Sequence, residues 1–131
     1  MEYIFVGIAG IAGALLRYAL GLIVHETWTH SFPLATWIIN MTGSFILAFL
    51  TTYIFRMKRM PPYAIAAIGT GFIGSYTTFS TFSVETIQLL QANHVVTAGG
   101  YIVGSLVGGL LMSFIGFEVG NRLYQMKESR E

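Results

Sequence analysis

The sequence predicts an all-α integral membrane protein with four transmembrane helices, the third of which is broken near its middle. Three observations support this fold class. The chain of 131 residues is 54% hydrophobic and only 10% charged, and its mean hydropathy is +0.66. Four apolar stretches are each long enough to cross a hydrocarbon core, which takes about 20 residues. A polar run rich in glycine and hydroxyl side chains interrupts the third stretch.

The length and composition also exclude several classes of protein. A chain of 131 residues leaves no room for a second domain beside four spans, so residues 1–131 are expected to form one transmembrane domain. Its helices are expected at about 3–24, 33–55, 63–91 and 96–122. Cysteine is absent, which excludes disulfides, thiolate metal sites and thiol catalysis. The first apolar stretch lacks a basic region before it, so we interpret it as a retained span. No nucleic-acid partner is expected.

The first span carries a stripe of small residues and one buried charge. Gly7, Gly10 and Gly13 would let another helix approach closely. Arg17 lies well inside the span, where an arginine costs about 2.5–3.5 kcal/mol on insertion scales. Its side chain either reaches the helix end and bonds carbonyls there, or provides a fixed positive charge that attracts anions into a water-filled vestibule.

The second span places polar side chains on one helical face. Thr36, Asn40, Gly43 and Ser44 follow the spacing i, i+4, i+7 and i+8, so Asn40 should point into the protein. An asparagine in a span often bonds a neighbouring helix. Its amide also supplies two donors without a permanent charge, which suits a transiently bound anion.

The third span contains the polar run from Gly71 to Glu85. Its glycines and hydroxyl side chains favour a break in the helix, because hydroxyls offer bonds to their own backbone. Backbone groups freed by a break are tolerated in lipid only when protein buries them or when they line a polar cavity. The run therefore predicts a pore, a binding site or an assembly interface. We expect Glu85, near the far end of the span, to lie at the membrane interface.

Phe79 and Phe82 are three residues apart and share a face if helix resumes after the break. Their positively polarised ring edges could face an anion path, or the rings could simply pack or face lipid. In the fourth span, Gly100, Gly104 and Gly108 predict close helix packing. The fourth span also contains a polar row of Tyr101 and Ser105, which ends at Gly109 and could line the same path as Asn40.

Three motifs together resemble the Fluc/CrcB family of fluoride channels. They are Gly10-x-x-Gly13-x-x-x-Arg17-Tyr18, Asn40-x-x-Gly43-Ser44, and Gly71-x-x-Gly74-x-x-Thr77-Thr78-Phe79-Ser80-Thr81-Phe82-Ser83. The resemblance covers essentially the whole chain and its four-span layout. The third motif is highly specific, whereas the first would be weak alone.

The resemblance implies a fluoride-selective passive channel that exports cytoplasmic fluoride. It implies an antiparallel, dual-topology dimer with two pores and a structural sodium ion (Na+) at the dimer centre. It places sodium on the backbone carbonyls of Gly74 and Thr77. It assigns the fluoride pore to Asn40, Phe79, Phe82, Ser80, Thr81, Tyr101 and Ser105. Arg17 corresponds to the vestibule charge considered above.

Other functional classes fit the sequence less well. An enzyme is not expected, because His25, His30 and His94 lie in loops and no carboxylate pair lies within the spans. A small transporter of another solute, such as a proton-coupled exporter of cationic drugs, would need a membrane-embedded acid. The glutamates near the spans fall close to span ends. A non-transporting membrane assembly protein would explain the glycine stripes but not the hydroxyl-rich break.

The basic residues are distributed unequally between the two ends of the spans. If the amino terminus faces the cytoplasm, that side receives six of them and the opposite side none. The six are Arg56, Lys58, Arg59, Arg122, Lys127 and Arg130. Lys and Arg in short loops set orientation, so this bias favours insertion one way. We therefore expect a multi-pass protein of the bacterial cell membrane whose antiparallel partner is either a second copy or an oppositely oriented paralogous subunit.

Overall fold

The computed structural model describes residues 2–57 and 59–129, and within these ranges the chain is helical with no β-strand. Lys58 and Arg130, two of the six basic residues above, lie outside the described residues. The helices are α1 (Glu2–Thr27), α2 (Leu34–Phe49), α3 (Pro62–Ala66), α4 (Gly74–Tyr76), α5 (Ser80–Gln91) and α6 (Val95–Glu128). Two π-helical segments, Leu50–Ile54 and Ala67–Ile73, continue α2 and join α3 to α4.

Three helical segments are long and apolar enough to cross a membrane by themselves: Tyr3–Thr27, Leu34–Ile54 and Val95–Glu128. The third expected span is present as two shorter pieces, residues 62–76 and α5. Many large apolar side chains of α1 and α6 are exposed, as is typical of helices that face lipid or another subunit.

The expected break in the third span occurs at Thr77–Phe79. The helix ends where Thr77 adopts an extended conformation, with φ −77° and ψ 161°, and α5 begins at Ser80. The π-helical segment Ala67–Ile73 precedes the break, and such segments frequently accompany functional sites. The break therefore lies between two helical pieces of one span.

Helix pairing in this fold alternates along the chain. The first helix packs mainly against the third span around residues 67–76, and α2 packs mainly against α6. The first of these contacts is so close that a Cβ at Gly13 would overlap the Phe72 carbonyl. A Cβ at Gly71 would lie 2.6 Å from the Val6 carbonyl oxygen. Gly13 and Gly71 thus permit backbone-to-backbone contact, as the stripe in the first span predicts for Gly13, whereas a Cβ at Gly7 would meet nothing within 4 Å.

Aromatic contacts place the start of α1, the start of the third span and the last turns of α6 at the same end of the molecule. The rings of Phe5 and Tyr63 are 5.2 Å apart, which joins the start of α1 to the start of the third span. The Arg56 guanidinium lies 4.1 Å from the centre of the Tyr124 ring near the end of α6. The loop before α2 and the 92–94 turn form the opposite end, where Asn93 has φ 60° in the short connection between α5 and α6.

Candidate ion pathway at the helix break

The side chain of Asn40, on α2, forms hydrogen bonds with the backbone of the break. Its Nδ2 donates to the Thr78 carbonyl oxygen at 2.9 Å, and its Oδ1 accepts from the Thr78 amide nitrogen at 2.9 Å. One of the two Nδ2 hydrogens is used by this pair of bonds. Asn40 is therefore an interhelical contact, and its amide also lies beside an adjacent groove.

Two backbone N–H groups at the break donate to side chains, which leaves two carbonyls without their regular helical donors. In an α-helix the Gly74 carbonyl would accept from the Thr78 amide, but that amide donates to Asn40. The Thr77 carbonyl would accept from the Thr81 amide, but that amide donates to Thr78 Oγ1 at 3.2 Å. Both carbonyls that the resemblance assigns to sodium are thus released from regular helix bonding, which fits a hard cation that prefers oxygen ligands.

Hydroxyl groups surround the first turn of α5. Thr78 Oγ1 donates to Thr81 Oγ1 at 3.0 Å and lies 3.3 Å from Ser80 Oγ. Thr78 is 8% exposed, whereas Ser80 and Thr81 are exposed. The buried threonine therefore connects the exposed hydroxyl groups to the backbone that Asn40 holds.

A groove of about 470 Å³ runs along the break between α2 and the third span. Its lining includes Asn40, Gly43, Gly74, Thr77 and Phe79. A Cβ at Gly43 would overlap the Thr77 side chain, so glycine is what lets α2 approach the break. The groove is open to the surface of the single chain, which leaves one side of it to be covered by lipid or by another subunit.

Aromatic rings continue from the groove towards the loop end of the molecule. The Phe79 and Phe82 ring centres are 5.7 Å apart, and the Phe82 and Tyr101 ring centres are 4.9 Å apart. Phe79 is 79% exposed, whereas Tyr101 is completely buried. The two phenylalanines therefore share a face, and they connect the exposed groove to the buried hydroxyl of α6.

Glu85 accepts hydrogen bonds from two buried hydroxyls. Thr36 Oγ1 donates to Oε1 at 2.8 Å, and the Tyr101 hydroxyl donates to Oε2 at 2.8 Å. Glu85 also lines a cavity of about 550 Å³ at the loop end, together with residues of the loop before α2. Its carboxylate thus lies between the aromatic row and that cavity, and its two hydrogen bonds are a feature that the expected interfacial location alone does not predict.

The remaining residues assigned from the sequence lie apart from these contacts. Ser105 is half-buried on α6, one turn beyond Tyr101. Arg17 is half-buried on α1, and within residues 2–57 and 59–129 no hydrogen bond or ion pair joins it to the groove. Thr36 and Glu85 were not among the residues predicted to line the path. Helical spacing in the sequence could have identified both, because Glu85 follows Phe82 by three residues and Thr36 precedes Asn40 by four.

Comparisons with known proteins identify similar chains along most of this length. A family model described as CrcB-like protein, Camphor Resistance (CrcB), matches residues 4–117. "Fluoride-specific ion channel FluC 1" of Bacillus thuringiensis subsp. konkukian (strain 97-27) is 57% identical over 121 residues, which are 92% of this chain and 88% of that protein. "Fluoride-specific ion channel FluC 2" of Geobacillus kaustophilus (strain HTA426) is 50% identical over 117 residues, or 89% and 91% of the two chains.

Proposed function

Because this chain belongs to the CrcB family, whose similar members are named fluoride-specific ion channels, we propose that it is a passive, fluoride-selective channel that exports cytoplasmic fluoride. The chain is a multi-pass protein of the bacterial cell membrane. Membership of this family implies a channel rather than an enzyme. Fluoride that enters a cell as neutral hydrogen fluoride dissociates there, and the membrane potential then favours exit of the anion.

The observation that carries this proposal is the row of uncharged donors and ring edges at the break. Fluoride holds its water strongly, so a selective path must offer compact donors in sequence without binding the ion too tightly for it to leave. The Asn40 amide and the Ser80 and Thr81 hydroxyls supply such donors. Phe79 and Phe82 supply positively polarised ring edges beside them. Tyr101 and Ser105 extend the row along α6.

We predict that the purified protein in liposomes releases loaded fluoride and retains chloride. A fluoride-selective electrode and a chloride-selective electrode follow efflux from matched vesicles. A small anion can contact more of these donors at once than a larger one, so fluoride efflux should exceed chloride efflux by at least about 100-fold, which corresponds to the roughly 3 kcal/mol cost of leaving donors unpaired. Equal efflux of both ions, or efflux of neither, would exclude the proposed function.

The proposal includes a structural sodium ion held by the backbone carbonyls of Gly74 and Thr77. The donors of both carbonyls are diverted, as described above, and Gly74 is exposed on the surface of the single chain. Two carbonyls from one chain provide too few oxygen ligands for a bound cation. An antiparallel partner would supply the equivalent pair. When bound, the ion would neutralise the partial negative charge of these oxygens and join the two breaks.

The proposal also includes an antiparallel dimer with two pores. A four-helix bundle has little interior, and the groove beside Asn40 and Phe79 is open on one side. A second chain across the groove would separate the exposed Phe79 ring from lipid. The second chain is either another copy or an oppositely oriented paralogous subunit. The similar proteins carry the numbers 1 and 2 in their names, which makes co-expression with such a subunit worth testing.

Labelling of a single cysteine in intact cells distinguishes these two partners. The chain has no cysteine, and the exposed His94 lies at the end opposite the termini, so we use His94→Cys. Labelling of about half the molecules from outside is the result expected for a homodimer, whereas near-complete labelling with the amino terminus inside indicates a paralogous partner. Gln125→Cys, at the other end, is the control and should show the complementary fraction. A uniformly oriented protein that conducts without any relative contradicts the antiparallel dimer.

A further inference from the structure

Basic side chains lie together where the linker between α2 and α3 meets the last turns of α6. A pocket of about 130 Å³ is present there, lined by Met57, Arg59, Tyr124, Lys127 and Glu128. This volume exceeds that of several water molecules, at about 30 Å³ each, so one phosphate group can enter it. Two cationic side chains and one carboxylate therefore line a space of the size of a phosphate.

Lys127 lacks a strong hydrogen-bond acceptor within residues 2–57 and 59–129. Its Nζ donates to Met57 Sδ at 3.1 Å, and a thioether sulfur is only a weak acceptor. No carboxylate in these ranges pairs with this half-buried ammonium, although the Glu128 carboxylate lines the same pocket. An ammonium has three donors, so Lys127 can donate to an anionic oxygen in the pocket without losing an ion pair.

Contacts between the linker and α6 fix the two segments that line the pocket. The Arg56 guanidinium lies 4.1 Å from the centre of the Tyr124 ring, and it donates to Asn121 Oδ1 at 3.1 Å. Arg56 thus adds a further positive charge beside a ring that lines the pocket. Because the basic residues come from two segments distant in the sequence, an anion in the pocket contacts both of them.

The pocket lies at the depth of lipid headgroups. With 34 residues, α6 is about 51 Å long, whereas a bilayer is about 30 Å thick without its headgroups and about 40–45 Å with them. The charged residues of α6 begin at Glu118 and Arg122, which mark the edge of the hydrocarbon core. Lys127 follows Arg122 by five residues, a rise of about 7.5 Å, which matches the thickness of one headgroup layer.

We propose that this pocket binds the headgroup phosphate of one anionic phospholipid per chain. Basic pockets between transmembrane helices bind anionic headgroups, and Lys and Arg beside a span attract anionic lipids. Lys127 and Arg59 donate to the phosphate oxygens, and Tyr124 lies at the membrane interface, where aromatic residues are enriched. The bound lipid joins the linker to α6 and thereby stabilises the pairing of α2 with α6. This inference does not depend on which ion the protein conducts.

Native mass spectrometry of the purified protein counts bound lipids during titration with phosphatidylglycerol or with zwitterionic phosphatidylcholine. We expect one phosphatidylglycerol per chain to bind at least about fivefold more tightly than phosphatidylcholine, as for one charge beside an anionic headgroup. Lys127→Gln removes the ammonium and should weaken phosphatidylglycerol binding about fivefold. Glu128→Gln removes the carboxylate that lines the pocket and should strengthen it. Equal binding of the two lipids by the wild-type protein overturns the inference.

Arg122→Gln is the matched control for Lys127→Gln. It removes a positive charge from the same end of α6 but outside the pocket, where Arg122 pairs with Glu118 at 2.8 Å. Phosphatidylglycerol binding should stay within about twofold of wild type, because an exposed paired charge contributes little. Equal losses in the two variants would mean that net charge attracts the lipid, which overturns the inference. Inorganic phosphate at millimolar concentration should not displace the lipid, and displacement would assign the pocket to free phosphate instead.

Fluoride efflux distinguishes this inference from the proposed function. Circular dichroism first establishes that Lys127→Gln folds, and Arg59→Gln is the second variant if it does not. In liposomes of phosphatidylcholine alone, either variant should match wild-type efflux, because no anionic headgroup is present to bind. Slower efflux there would mean that the basic residues serve the ion path, which overturns the lipid inference. Absence of fluoride efflux from the wild-type protein contradicts the channel function alone.

Discussion

The Asn40→Asp protein is expected to carry no fluoride above the leak of empty liposomes. Aspartate retains an acceptor for the Thr78 amide but loses the donor to the Thr78 carbonyl, and it places two oxygens against each other where the native distance is 2.9 Å. Leaving a buried carbonyl unpaired costs about 1–3 kcal/mol. A fluoride passing about 4 Å from the new carboxylate would meet a repulsion of about 4 kcal/mol at an effective dielectric constant of 20. The repulsion alone predicts a decrease in efflux of about 1,000-fold, whereas the unpaired carbonyl decreases the stability of the protein.

Asn121→Asp is the matched control for this substitution. It makes the same chemical change near the end of α6, where Asn121 Oδ1 accepts from Arg56 at 3.1 Å, and an aspartate there would keep that bond. Fluoride efflux through the Asn121→Asp protein should remain near the wild-type rate. Size-exclusion chromatography establishes that both variants assemble before efflux is measured. Wild-type efflux from an assembled Asn40→Asp protein would remove Asn40 from the path.

The second large effect is expected at the contact between α1 and the third span. Gly13→Ala introduces a Cβ that overlaps the Phe72 carbonyl, and a backbone atom in a helix cannot move aside as a flexible side chain does. Overpacking of this kind typically costs about 1–3 kcal/mol. We expect the free energy of unfolding to decrease by an amount at the upper end of that range. Unfolding by sodium dodecyl sulfate in mixed micelles, followed by circular dichroism, measures the change.

Gly21→Ala on the same helix is the control for Gly13→Ala. A Cβ at Gly21 would meet nothing within 4 Å, so the substitution adds a methyl group in open space. Alanine also has the higher helix propensity, by about 1 kcal/mol. Gly21→Ala should therefore be neutral or stabilising. Equal destabilisation by both substitutions would mean that the close contact between α1 and Phe72 is not what makes Gly13 necessary.

The helical segments and the break were predictable from local properties of the sequence. Apolar runs of sufficient length indicate spans, and the glycines and hydroxyls around Gly74 and Thr77 weaken the helix within the span that contains them. The π-helical segment Ala67–Ile73 was not predictable in this way. Its backbone meets α1 at Phe72 and Gly13, so its geometry depends on a contact between residues distant in the sequence.

The sequence pattern predicts which residues belong to the candidate site, but it does not predict the hydrogen bonds between them. The helical face of Asn40 follows from spacing alone, whereas its partner Thr78 is brought there only when α2 packs against the break. Glu85 was expected at the interface because it lies near the end of its apolar stretch. Its bonds with Thr36 and Tyr101 join three helices, and no single-helix pattern contains that information.

The alternating arrangement of helix partners has a consequence for synthesis of the protein. Because α1 packs mainly against the third span and α2 mainly against α6, neither half of the chain contains its main native helix pairs. A ribosome that has delivered only α1 and α2 to the bilayer has delivered two helices whose principal partners do not yet exist. The nascent chain therefore lacks the main native contacts of both helices until the third span and α6 follow. Two fragments from a gene divided after α2 could regain the main native pairs only by associating with each other.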